Sequence, residues 1–364
     1  MMTNISDYST ISGLKRENFV SVVDGRDTNL YFLHNSQGNE VAVTNYGGAI
    51  AAIMVPDRNG IRANVIQGYD SIQAYLNAPE PYLSTLIGRC GNRIRNSRFQ
   101  LDGKEYHLFA NRGTDSLHGG KKGFNARVWQ AMQMNDQTLV LKYISPYGEE
   151  GYSGELKVTV VYTFSDDNEL IIDYMATTNK RTVVNLTSHG YFSLTGISNP
   201  TPTIDDLVCE INADYYMPMD ETCLPTGEIR LVEGTPFDFR KPKTIGRDIE
   251  SGHEQLIIGK GYDHCYVLNK HEAGELTFAA RIKEPGSGRT MEVLTTEPGM
   301  QFYSDNWATG YTGQNGATFP RRSAICFECQ HFPNTPNLPY LASTTLNPGE
   351  TYKQKTIYRF GVEE

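Results

Sequence analysis

The chain has 364 residues, 39% hydrophobic and 21% charged, with a formal net charge of -9. Such a composition belongs to a folded chain rather than a disordered one, and the negative charge opposes non-specific binding to nucleic-acid phosphate or anionic lipid. No stretch supplies the ~20 consecutive apolar residues that a bilayer crossing needs, and MMTNISDYSTISGLKRENF at the N-terminus lacks an apolar signal core, so a cytoplasmic location is expected.

Residues 1–18 are polar and aperiodic and read as an N-terminal arm, lying on the surface or poorly ordered. From residue 19 onward, segments with the strand period follow one another. They run YFLHN, EVAVTNYGG, TLVLKYI, LKVTVVYTF, LIIDYMATT, TVVNLTSHGYF, HCYVLN, LTFAARI, MEVLTT and AICFECQHF, with turn sequences such as PDRNG, FSDDNE and EPGSGRT between them. The 22 Tyr, 15 Phe, 34 Gly and 17 Pro suit many short strands joined by turns. Helical periodicity is confined to YDSIQAYL, with Asp70 as its cap and Ile72, Tyr75 and Leu76 on one face, and to a single turn in GRDIESG. With no linker and no repeat of fixed period, residues 19–364 read as one all-β domain. The six cysteines are scattered through a long chain without a secretory signal, which favours free thiols.

Polar residues inside these segments are the candidates for chemistry. LIGRCGNRIRN carries Arg89, Arg93 and Arg95, either exposed arginines of an edge strand or an anion-binding group. GTDSLHGGKKGFNARVW lacks the P-loop spacing; it is a plain turn, or a turn in which Gly119 and Gly120 present His118 to a ligand. If residues 182–194 form a strand, Asn185, Thr187, His189 and Tyr191 share one face, and His189 is more readily a structural histidine than a functional one. GYDHCYVL opens on Asp263, and EPGMQFYSDN places Gln301 and Tyr303 on one face.

SAICFECQHF is bounded by Pro320 and Pro333 and reads as a strand, so Cys326, Glu328 and Gln330 share one face while Phe327, Cys329 and His331 share the other. Cys326 and Cys329 then diverge and cannot close on a zinc ion or a low-strain disulfide. No second C-x-x-C or H-x-x-x-H supplies further ligands, so no metal is expected. Glu328 remains, an ionisable group in an apolar strand, structural or functional according to its partners.

Taken in order, NYGGAI, GRCGNRI, SLHGGKKGF, SHGYFSL, GYDHCYVL, PGMQFYSDN and FECQHFPN resemble blocks of the aldose 1-epimerase (galactose mutarotase) family, from about residue 19 to the C-terminus. The resemblance implies a large twisted antiparallel β-sandwich with few short helices. It implies Glu328 as general base and His189 as general acid, and it places Asn92, Arg93, His118, Asp263 and Gln301 at sugar-binding positions. Where the family usually reads Pro-Asp-Ala, this chain has Pro333-Asn334-Thr335, expected near the mouth of the site.

The implied reaction interconverts the α and β anomers of a free aldohexose such as galactose or glucose. One acid and one base suffice, without cofactor or metal. The expected partner is a small-molecule aldose, with no nucleic acid or membrane and a monomeric or homodimeric state. Three rivals remain at this stage. A glycoside hydrolase would use Asp263 and Glu328 as its carboxylate pair. A hexose-phosphate epimerase would use Arg89, Arg93 and Arg95 for the phosphate. A non-catalytic sugar-binding module would not need Glu328 and His189 together.

Overall fold

A computed structural model describes residues 10–363; residues 1–9 of the expected N-terminal arm lie outside the described residues. From Thr10 on, the chain is held to the body. The main-chain N–H groups of Ile11 and Ser12 each donate to the buried Glu40 carboxylate at 3.1 Å, and Leu14 and Phe19 are buried beside Leu30 and Phe32.

Three antiparallel sheets carry the architecture. The largest has nine strands in the order Gln130–Asn135, Thr138–Ser145, Leu156–Phe164, Glu169–Thr178, Tyr352–Val362, Arg289–Thr295, Thr277–Lys283, Val208–Ile211 and Lys243–Thr244. A five-stranded sheet runs Arg230–Leu231, Tyr215–Met217, Asp263–Val267, Gly299–Tyr303, Cys326–Gln330, and a four-stranded sheet runs Leu30–His34, Glu40–Thr44, Ile50–Pro56, Arg62–Asn64. Alternation explains how they stack. In Leu156–Phe164 the residues Leu156, Val158, Val160, Tyr162 and Phe164 are buried, while Lys157 faces out. This inner face shares one core with Tyr266, Met300, Phe302 and Phe327 of the five-stranded sheet, and each such side chain contributes about 1.5–3 kcal/mol by burial. Polar bonds cross the same layer: the Tyr358 hydroxyl donates to the Phe327 carbonyl at 2.9 Å and that of Tyr162 to the Gly48 carbonyl at 2.8 Å. The all-β sandwich expected from the sequence is thereby borne out.

Local expectations fare unevenly. The short helix is Ile72–Leu76, but its cap is Ser71, whose hydroxyl accepts the Ala74 N–H at 3.3 Å, instead of Asp70; Leu76 is exposed while Ile72 and Tyr75 are buried. Gly246–Ile249 is the turn expected in GRDIESG, and a second helix, Glu254–Gly259, was not anticipated. Residues 182–194 are not one strand. Thr182–Val183 pairs with Thr345–Leu346 and Thr187–Ser188 with Leu86–Ile87, after which the chain leaves regular pairing before His189. Its alternation reflects burial on both sides as it passes between sheets, not a continuous partner. All six cysteines are free, and among the described residues no helix is long and apolar enough to cross a membrane.

Candidate active site

Register in the five-stranded sheet gathers three of the expected residues. Gln301 lies directly opposite Glu328, and Asp263 opposite Tyr303, which is opposite Cys326. Directly paired residues share a face, so Asp263, Gln301 and Glu328 project together from three adjacent strands. The alternation expected for Cys326–Gln330 holds: Phe327 and Cys329 enter the sandwich core, and Glu328 points away from it into a cleft. Within this row the Gln301 amide donates to Asp263 Oδ1 at 2.8 Å.

Loops form the facing wall. Arg93–Ile94 pairs with Ser116–Leu117, which brings His118 back against Asn92. The His118 N–H donates to the Asn92 carbonyl at 3.0 Å, and the Asn92 N–H donates to His118 Nδ1 at 3.2 Å. The turn after His118 depends on glycine: at Gly119, with φ of 89°, an added Cβ would stand 1.9 Å from the Gly88 carbonyl oxygen. The Arg93 guanidinium is aimed by its Nε–H, which donates to the Cys223 carbonyl at 2.9 Å. Asn334 braces this strand, its N–H donating to the Arg93 carbonyl and its side chain accepting the Arg95 N–H.

His189 is held by main-chain bonds, its N–H to Thr85 and its carbonyl from Ser84. Its Nε2 stands 3.6 Å from Glu328 Oε1. The imidazole is nearly parallel to two rings, Tyr191 at 4.9 Å and 11° and Tyr82 at 6.3 Å and 13°, and meets His118 edge-on at 5.2 Å. His189 therefore lines the cleft beside Glu328.

All seven expected residues, Asn92, Arg93, His118, His189, Asp263, Gln301 and Glu328, line one cleft of 130 Å³. Six are buried, and Asp263 is half-buried. Burial sets the electrostatics. It pushes the Glu328 carboxyl well above the usual carboxylate range, with the Asp263 charge adding to the effect and Arg93 opposing it. Burial also raises Asp263, against Arg93. It lowers His118 well below the ordinary imidazole value and pushes His189 down to about 4. Glu328 Oε2 and Gln301 Oε1 are buried with no hydrogen-bonding partner among the described residues, polar atoms that a polyhydroxylated ligand suits.

His118, His189 and Glu328 offer ligand atoms within 4.8 Å of one another. Because His118 Nδ1 accepts the Asn92 N–H, the neutral ring carries its proton on Nε2 and presents a donor there. That leaves two acceptor groups where a zinc site takes at least three.

The arginine group expected from GRCGNRIR is split. Arg89 is buried and donates to the Ser145 side chain and to the carbonyls of Ser145, Pro146 and Ser153, away from the cleft. Arg95 pairs with Asp220 at 2.5 Å. Arg93 alone of the three lines the cleft, where an unanticipated cation, Arg112, joins it. Glu80, Tyr82, Cys223 and Trp307 also line the cleft and were missed. They sit in irregular loops where no period marks them; only the rigid Pro79-Glu80-Pro81 triplet was a visible signal.

A sequence model of the family described as aldose 1-epimerase matches residues 29–359. Galactose mutarotase from Homo sapiens is 40% identical over 353 residues, covering 97% of this chain and 100% of that protein. Aldose 1-epimerase from Escherichia coli (strain K12) is 33% identical over 342 residues, 93% of this chain and 97% of that one. Among solved structures, an aldose epimerase homologue from C. elegans superposes with a TM-score of 0.85 at 28% identity, covering 93% of this chain and 100% of that chain. Galactose 1-epimerase from Lactobacillus acidophilus gives 0.82 at 28% identity, over 94% and 97%. The resemblance carried by the seven sequence blocks is thus borne out over nearly the whole length, and the chain belongs to the aldose 1-epimerase family of isomerases.

Proposed function

We propose that this protein interconverts the α and β anomers of free aldohexoses, galactose and glucose among them, with Glu328 as general base and His189 as general acid. The observation that carries this reading is the Glu328–His189 pair, 3.6 Å apart and buried at the floor of the cleft. Glu328 removes the proton from the C1 hydroxyl while His189 protonates the ring oxygen. The bond between C1 and the ring oxygen breaks, a C1 carbonyl forms, and rotation about C1–C2 exposes its other face. Reclosure returns the ring-oxygen proton to His189 and the O1 proton from Glu328, so the pair ends with the proton count it began with.

Arg93 and the Nε2–H of His118 face the ring oxygen and stabilise charge there. Asp263, Gln301 and Asn92 hold ring hydroxyls. Side chains from Asn92 to Glu328 build one cleft, which supports treating residues 19–364 as one domain. Free cysteines suit the cytoplasmic location, and the monomeric or homodimeric state is retained from the sequence reading.

The phosphate-sugar alternative loses its main support with Arg89 turned away and Arg95 committed to Asp220. The test is the optical rotation of freshly dissolved α-D-galactose in weak buffer. Faster decay with enzyme is expected; a rate equal to buffer for both galactose and glucose would refute the assignment.

A further inference from the structure

Catalytic histidines are commonly oriented by a hydrogen bond from the second ring nitrogen to a carboxylate or carbonyl. His189 has no such aid from a side chain among the described residues, and only its own main chain lies within reach of the ring. The neighbouring Tyr82 and Tyr191 rings restrict the plane of the imidazole further, and both lead to one carboxylate. Glu80 Oε1 accepts the Tyr82 N–H at 3.0 Å, and the Tyr191 hydroxyl faces the same side chain.

The rest of the neighbourhood favours a rigid clamp. Glu80 lies between Pro79 and Pro81, whose rings fix their own φ and leave the loop few alternatives. The Pro81 carbonyl accepts the Asn125 amide at 3.1 Å, and the Asn111 amide donates to the Tyr82 hydroxyl at 3.2 Å, pinning that ring at its far end. The Tyr191 N–H donates to the Ser84 hydroxyl at 3.2 Å. Removing Glu80 would free the near end of Tyr82 and the hydroxyl of Tyr191 together.

We propose that Glu80 is a positioning residue of the epimerisation, holding Tyr82 and Tyr191, the two rings stacked beside His189, as an aromatic clamp that aims His189 at the ring oxygen. This rests on His189 acting as the acid. A misplacement of about 1 Å in a proton donor costs on the order of 10²-fold in rate, so the effect falls on kcat and leaves sugar affinity largely intact.

The test is a double-mutant cycle with Glu80→Ala and His189→Asn, read by polarimetry on α-D-galactose as kcat and KM, with thermal unfolding to confirm folded protein. Glu80→Ala is expected to lower kcat about 10-fold to 100-fold while KM stays within about 3-fold. It should cause no further loss in the His189→Asn background. Glu80→Gln, which retains an acceptor for the Tyr82 N–H and a partner for the Tyr191 hydroxyl, should recover kcat to within about 3-fold of wild type. An unchanged kcat in Glu80→Ala, or an equal loss in both backgrounds, overturns the proposal. If His189→Asn itself turns over like wild type, the acid assignment fails and the clamp with it, a result distinct from additivity. If Glu80→Ala does not fold, Tyr191→Phe, which removes only the hydroxyl facing Glu80, carries the same comparison.

Discussion

The rate should hold as the pH falls from about 6.5 to about 5, a result that an imidazole titrating at its ordinary value beside a raised carboxyl could not give. Glu328 and His189 stand 3.6 Å apart in a buried floor. Burial lifts the Glu328 carboxyl well above its usual range and lowers His189 from 6.5 to about 4. At about 1.36 kcal/mol per unit, charging His189 by itself costs about 3 kcal/mol more than in water. Between those two limits the pair therefore holds one proton, shared between its members and belonging to neither alone. One proton and one vacant site are what the reaction needs, whichever atom carries the proton before sugar binds. Below the lower limit a second proton is taken up and the base is lost; above the upper limit the only proton is lost and the acid with it. Since kcat/KM reports the free enzyme, it should not fall by more than about 2-fold as the pH is lowered from about 6.5 to about 5, the loss coming only near the His189 value of about 4. Polarimetry with α-D-galactose in dilute buffers, corrected for buffer catalysis, measures this. A loss of rate centred near 6.5 as the pH is lowered would show His189 taking up its proton at the ordinary imidazole value and refute the reasoning.

Three further outcomes follow from the same geometry. Arg89→Ala removes the side-chain donor from the carbonyls of Ser145 and Ser153, while the Pro146 carbonyl keeps the Glu149 N–H; at about 1–3 kcal/mol for each buried acceptor the loss is about 2 kcal/mol or more, read from the urea midpoint, and a loss under about 1 kcal/mol would contradict the buried role. In the native protein one thiol of six, the half-buried Cys223, should react with a soluble disulfide reagent, and saturating galactose should slow it because Cys223 lines the cleft; several fast thiols, or no protection, would count against the arrangement. Gly119→Ala should lower both the melting temperature and activity, since its Cβ meets the Gly88 carbonyl at 1.9 Å and its φ is positive; a wild-type melting temperature would contradict it.

The strand period made the fold class and most of the core legible, but it failed where pairing changes partner. Residues 182–194 alternate because both sides are buried, and no periodicity distinguishes that from a strand. Conversely, Tyr352–Val362 lies in mid-sheet, between Glu169–Thr178 and Arg289–Thr295, yet went unnoticed because two of its inward residues are Gln354 and Thr356, which bond the Cys329 carbonyl and the Thr295 hydroxyl. Glu328 stood out as a charge in an apolar strand, and the family blocks supplied its partners. Arg89 was misjudged because one sequence cannot say whether an arginine meets solvent or a nest of carbonyls. Glu80, Tyr82 and Trp307 come from loops, whose approach to the cleft is set by tertiary packing alone.

Replacing Glu328 by Gln, which keeps shape and hydrogen bonding but cannot take a proton, tests the central claim most directly. Polarimetry at saturating α-D-galactose should show kcat lowered about 10² to 10⁴-fold, while the sugar still binds, as followed by calorimetry. A variant that accelerates mutarotation as well as wild type would contradict the account.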